Sequence, residues 1–194
     1  MKIFFYDILN IMFKYEEQKF NIPELKGISK KSIEEHLKLY AGYVKNLNDT
    51  FEGKQDIRRT GFEFNGMRNH EYYFKSLEGG PKVLSQESNF TKALGQEFGS
   101  IDAWLAMFKS IALTRGVGWT MLYYDPVVKK LIHAWVDEQH LGQLNGCQLI
   151  LGLDMWEHAF VYDYQPSGKK QYVDDFFANL NWEVIEENYK NASK

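Results

Sequence analysis

Five histidines, His36, His70, His133, His140 and His158, and the carboxylate Asp154 are the residues whose types and spacing could do chemistry. Asp154 and His158 are four apart, so a helical or turn-to-helix segment sets a carboxylate and an imidazole on one side. His36 precedes Tyr40 by four residues and Tyr43 by seven, which places all three on one helical face. His70 lies on another segment, after Asn69 and ahead of Tyr72-Tyr73-Phe74. Three imidazoles and one carboxylate drawn from three segments make a nitrogen-and-oxygen ligand set. It suits iron, manganese or zinc and suits soft metals poorly. The plainer alternative for each histidine is a core or surface residue with a satisfied hydrogen bond, and for Asp154 with His158 a buried Asp–His pair. Zinc hydrolysis would need a general base as well. Glu157 beside His158 is available for that, but the sequence has no H-E-x-x-H pair.

The elements that must position these residues are legible in the patterning. Ser32-Ile33-Glu34-Glu35 reads as a capping box. Ile33, His36, Leu37, Tyr40, Val44 and Leu47 then recur at helical spacing. Residues 14–29, polar and broken by Pro23 and Gly27, read as an extended lead-in. Residues 48–60 turn the chain, and a second helix is expected over 65–77, so the first half is an αα-hairpin. Gly79-Gly80-Pro81 marks a boundary, dividing the chain into a helical-hairpin domain (1–80) and an α/β domain (81–194). Helices are expected over 89–98 and 100–113, with Ser100 as a cap, and strands over 119–124, 131–136 and 148–153. Residues 173–189 return to helix. The expected class is α+β, with a three-stranded antiparallel sheet flanked by helices in the second half.

Composition excludes other classes. A formal net charge of −3 without a basic cluster argues against nucleic-acid binding. The apolar N-terminal stretch, Met1 to Phe13, is too short to span a bilayer and is interrupted by Asp7 and Asn10. It reads as an extension without a cleavage site for a secretory signal. Cys147 is the only cysteine, so an intrachain disulfide is impossible and a cytoplasmic setting is the default.

Asp154-Met155-Trp156-Glu157-His158-Ala159-Phe160 resembles the D-x-W-E-H-A-Y signature of iron/manganese superoxide dismutases, with Phe160 in place of its Tyr. Phe64-Asn65-Gly66-Met67-Arg68-Asn69-His70, Phe98-Gly99-Ser100, Gly116-Val117-Gly118-Trp119, Tyr43-Val44-Lys45-Asn46-Leu47-Asn48 and Asn181-Trp182 resemble further landmarks of that family, in order. The resemblance implies His36, His70, Asp154 and His158 as ligands of one iron or manganese ion per chain, with a solvent molecule as a fifth ligand. It also implies superoxide as substrate. Gln139 is the implied partner of that solvent, with adjacent His140 as the competitor. Gly66 together with Gln139 resembles the manganese-type arrangement more than the iron-type one. Tyr43 matches a gateway tyrosine, and Trp119 and Trp156 match aromatic walls of the site. Glu157 matches a residue that reaches the partner subunit's site, which implies a homodimer or, as the larger alternative, a tetramer.

The chain also departs from that pattern. His36 to Tyr43 spans seven residues where the family has eight, which an absent one-residue π-bulge would explain. Tyr40 stands where a second-sphere His is expected, Val161 replaces its cross-interface Tyr partner, and Phe74 replaces a Trp. An altered access funnel is expected from these changes. A metal-binding member of the fold with lost or changed activity is the alternative they keep open.

Overall fold

The computed structural model describes residues 14–194; the N-terminal stretch read above as an extension lies outside them. Helix α1 (Lys30–Phe51) buries Ile33, His36, Tyr40, Tyr43, Val44 and Leu47 along one face. It is capped by Ser29, whose hydroxyl accepts from the Ser32 amide at 3.1 Å. The expected cap at Ser32 is therefore displaced by three residues. Ser29 is the serine with extended backbone, and its N–H is held by Asp163 Oδ2 at 2.7 Å. The helix is unbroken α-helix between His36 and Tyr43, without a bulge. Seven residues are then two turns, so both side chains share the buried face.

A short 3₁₀ turn (Ile57–Arg59) leads into α2 (Thr60–Leu77), which starts five residues before the expected 65. The Arg59–Glu63 ion pair extends that helix N-terminally, with Glu63 fully buried. The lead-in is tied to this hairpin: Tyr15 and Asn48 exchange two hydrogen bonds of 2.9 Å, and the Gln18 amide donates to Tyr40 Oη at 2.9 Å.

Helices α3 (Asn89–Phe98) and α4 (Ile101–Ala112) follow, the latter capped by Ser100 as expected. Strands β1 (Gly118–Asp125), β2 (Lys130–Asp137) and β3 (Gln148–Asp154) form an antiparallel sheet in the order β2-β1-β3. The fold is α+β, as the patterning predicts. β1 is central and buried from Gly118 to Tyr124. A one-turn helix, α5 (Glu157–Phe160), follows β3 directly. The expected C-terminal helix is two helices, α6 (Lys169–Asn179) and α7 (Trp182–Ala192). The break falls where the Asn181 backbone amide donates to Ser76 O and its side chain donates to Glu78 O, both at 2.8 Å. A tertiary contact thus competes with helix continuation.

One connected apolar core runs through both halves, including Leu47, Met67 and Phe74 from the hairpin and Trp119, Leu153 and Phe176 from beyond it. Each such large side chain, fully buried, contributes about 1.5–3 kcal/mol of transfer free energy. Among the described residues no helix is long and apolar enough to cross a membrane.

Candidate metal centre

Three elements and a turn deliver four side chains to one point. His36 comes from the second turn of α1, His70 from α2, Asp154 from the last position of β3 and His158 from α5. Asp154 is placed by the sheet, lying opposite Trp119 of β1 in the antiparallel register. Its Oδ1 accepts from the Trp156 amide at 2.8 Å, which turns the chain into α5 and brings His158 round on the same side. Its Oδ2 faces three imidazoles: His36 Nε2 at 3.2 Å, His158 Nε2 at 3.1 Å and His70 Nε2 at 3.6 Å. One ligand atom from each of the four residues lies within 4.8 Å of all the others. The side chains of His36, His70 and Asp154 are at most 1% exposed, whereas His158 keeps 26%.

The donor chemistry fits a cation. His70 Nδ1 lies 2.6 Å from Gly66 O, so it carries the hydrogen and leaves Nε2 as a bare lone pair. That Nε2 is buried and has no hydrogen-bond partner, an orphan that burial penalises unless something accepts the lone pair. Burial drives His70 down to about 3 and lowers His36, so both rings are uncharged at neutral pH. Burial alone pushes the Asp154 carboxyl up, but the His158 and His36 imidazoles outweigh it and hold it well below the ordinary carboxylate range. Neutral imidazoles around an ionised carboxylate are the protonation states that metal ligation requires. Ligands bonded at about 2.0–2.2 Å and adjacent to one another sit roughly 3 Å apart, as the 3.1–3.6 Å spacings here do.

Around these four stands an aromatic and amide shell. The Tyr43 ring lies 5.1 Å from the His70 ring and rests on Gly66, where a Cβ would come within 2.5 Å of Tyr43 Cδ1. The missing side chain is what lets this tyrosine approach. Gln139, fully buried, donates from Nε2 to Tyr43 Oη at 3.0 Å and accepts from Trp119 Nε1 at 2.9 Å. Its loop is stitched in place. Glu138 adopts φ +51°, donates its amide to Val117 O and accepts from Trp156 Nε1, each at 3.1 Å. A non-glycine residue in the left-handed region costs about 1 kcal/mol or more, and here it aims the next side chain inward. His140 instead packs its ring edge-on to Phe62 at 5.7 Å. Gln139, not His140, thus reaches Tyr43 and Trp119.

Trp156 stacks on His158 at 5.6 Å, and Phe74 lies 4.9 Å from His36. Glu157 is exposed and stands outside the converging set, so it offers no general base to a hydrolytic reading. Tyr40, fully buried, donates to Glu71 Oε1 at 3.1 Å and accepts from the Gln18 amide, while Val161 is 46% exposed. Sequence reasoning missed Tyr73 and Tyr172. Tyr172 Oη donates to the Asp154 carbonyl at 2.9 Å and lies 3.2 Å from Tyr73 Oη, so Tyr73 is the donor in that pair. The Tyr72-Tyr73-Phe74 run beside His70 was the available signal for Tyr73; nothing local signals Tyr172.

A helical hairpin joined to a three-stranded sheet, with three histidines and an aspartate converging between them, defines an α+β protein with a cluster that could hold one metal ion. Residues 86–188 match the family description "Iron/manganese superoxide dismutases, C-terminal domain". The chain is similar to an iron superoxide dismutase of Cupriavidus metallidurans, with 32% identity over 177 residues, covering 82% of this chain and 87% of that protein. It is also similar to a manganese superoxide dismutase of Mycolicibacterium fortuitum, with 31% identity over 174 residues, covering 81% and 82%. A manganese superoxide dismutase of Haloarcula marismortui is 37% identical over 106 residues, 55% of this chain and 51% of that protein. The chain spans about half the length of the Haloarcula marismortui and Halobacterium salinarum relatives it matches. This chain belongs to the iron/manganese superoxide dismutase family.

Proposed function

We propose that the chain is a superoxide dismutase, turning two superoxide ions and two protons into dioxygen and hydrogen peroxide. It does so at one iron or manganese ion held by His36, His70, Asp154 and His158. The observation that carries this reading is the convergence of three imidazole nitrogens on a single buried carboxylate oxygen. When bound, the ion supplies a one-electron couple and carries a solvent molecule as its fifth ligand. The chain's residues supply the rest. Burial first, then the Asp154 and Glu63 carboxylates, raise the Tyr43 hydroxyl well above its ordinary value, so it keeps its proton at neutral pH. That hydroxyl is tethered to the Gln139 amide, whose orientation is fixed from its other end by Trp119. Tyr43 and Gln139 therefore hold a proton and an amide donor at fixed atoms beside the ligand set, and such outer partners tune metal and solvent alike.

Gly66 with Gln139 favours manganese over iron. A homodimer, with a tetramer as the larger alternative, is supported by the groove beside Glu157, where Leu113, Val117 and Val161 are exposed next to Arg115 and Lys169. Its exposed Glu157 and apolar rim suit a two-fold contact. Residues 1–80 and 81–194 are the two organisational units, and the cytoplasm is the setting. The test is to load the protein separately with iron and with manganese, then measure metal per chain and superoxide consumption. One ion per chain with consumption in at least one form is expected. Full loading without consumption in either form would make the chain a metal-binding relative only.

A further inference from the structure

We propose that Tyr73, Tyr172 and Tyr164 form a relay that carries oxidising equivalents from the metal centre to the protein surface, where Tyr164 is oxidised by hydrogen peroxide. This rests on the reading above, which makes peroxide in the site. The Tyr73 ring lies 5.1 Å from the His36 ring, and its hydroxyl is 3.2 Å from that of Tyr172. The Tyr172 ring lies 5.9 Å from that of Tyr164, which is half-buried. No saturated side chain intervenes in this series of ring and hydroxyl contacts.

Tyr164 differs from the inner two in its partner. Its hydroxyl donates to Asp175 Oδ2 at 3.0 Å, whereas Tyr172 donates to a backbone carbonyl and Tyr73 to Tyr172. A phenol loses an electron most readily when a base takes its proton, and only Tyr164 has a carboxylate in place. Asp175 is itself only 4% exposed; Gln171 Nε2 donates to it at 2.9 Å, Lys26 Nζ lies 3.6 Å away, and its Oδ1 has no hydrogen-bond partner. The lead-in closes over this pair at Gly27, at φ +76°, where a Cβ would come within 2.5 Å of Asp175 Oδ2 and would strike the Tyr164 hydroxyl. The Tyr164–Asp175 pair is thus a built and covered unit.

The step balances as H₂O₂ + 2 TyrOH → 2 H₂O + 2 TyrO•. The peroxide O–O bond breaks and two tyrosine O–H bonds break. Tyr164 supplies both electrons in two successive oxidations: each time one electron passes inward along the relay and the phenolic proton passes to Asp175 and on to solvent, matched by a proton taken from solvent where peroxide is reduced. A soluble one-electron reductant of the enediol class, such as ascorbate, returns Tyr164 to the phenol. The relay would spare His36 and its neighbours from oxidation.

The test treats metal-loaded protein with hydrogen peroxide, freeze-quenches it for electron paramagnetic resonance, and maps oxidised residues by mass spectrometry. A tyrosyl signal and modification at Tyr164, both suppressed by ascorbate, are expected. Tyr164→Phe should remove them, shift oxidation to residues at the centre and speed peroxide inactivation several-fold, with superoxide consumption unchanged. Tyr172→Phe, which leaves Tyr164 in place, should give the same loss at Tyr164. An unchanged signal in both variants, or wild-type oxidation concentrated on Trp156, would overturn the relay. Superoxide consumption without any Tyr164 radical would leave the proposed function standing and remove the relay. A Tyr164 radical without superoxide consumption would do the reverse.

Discussion

His70 and His133 are both histidines pressed into aromatic surroundings, and only one of them has a carboxylate to face. His133, on β2, sits among Phe98, Trp104 and Phe108 at ring distances of 4.8, 6.3 and 5.8 Å. Its Nε2 is buried without a partner, and burial alone lowers its pKa to about 4. His70 is lowered to about 3, again chiefly by burial, yet its Nδ1 is fixed by Gly66 O and its Nε2 is aimed at Asp154. Burial by itself makes a neutral imidazole. A hydrogen bond at one ring nitrogen that sets the tautomer, with further donors around the point the other nitrogen faces, is what suits an imidazole to a metal.

The sharpest way to break that contrast is Asp154→Ala, which removes the anion that the three imidazoles share. Elemental analysis should find bound metal lost while the far-UV circular dichroism of the helices persists; full occupancy would show that the ligand set is wrong. Next comes Gly66→Ala, whose new methyl must displace the Tyr43 ring. Overpacking of this kind costs about 1–3 kcal/mol, and denaturant unfolding should register it, together with reduced activity at unchanged metal content. Unaltered stability would mean the ring has room to move.

His133→Phe tests the other side. The folded pKa of His133, about 4, lies below the ordinary 6.5. As pH falls through that window the unfolded chain takes up the proton first, so this group withdraws stability between about 6.5 and 4 and has no effect on the slope above. The variant should lose stability less steeply on acidification than wild type, and a parallel pH profile would assign the acid sensitivity elsewhere. The smallest effect is expected from Tyr40→Phe, which removes the hydroxyl joining Glu71 to the Gln18 amide. A loss of about 1 kcal/mol in unfolding free energy is anticipated, with metal content unchanged. Loss of metal would instead place Tyr40 in the working site.

The sequence carried much of this arrangement because its signals are local. The four-residue step from Asp154 to His158, the helical recurrence from Ile33 to Leu47 and the aromatic strand after Gly118 each follow from one element's periodicity. What could not be read depends on contacts across the chain. Ser32 and Ser29 compete as caps, and Asp163, 134 residues away, holds the backbone amide of Ser29, the residue that caps. The C-terminal helix breaks at Asn181 because that residue is bonded to the end of α2. Gln139 and His140 are neighbours on a loop, and their separation, Gln139 toward Tyr43 and Trp119 and His140 against Phe62, follows from Glu138's backbone twist and the bonds that anchor it. Tyr40 turns to Glu71 and the lead-in, which the helical pattern of α1 alone cannot show.

X-ray absorption fine structure on iron- or manganese-loaded protein examines the centre most directly. A shell of nitrogen and oxygen at about 2.0–2.2 Å, with the outer-sphere scattering of three imidazole rings, is the predicted result. A sulfur scatterer, or scattering from no more than one ring, would contradict it.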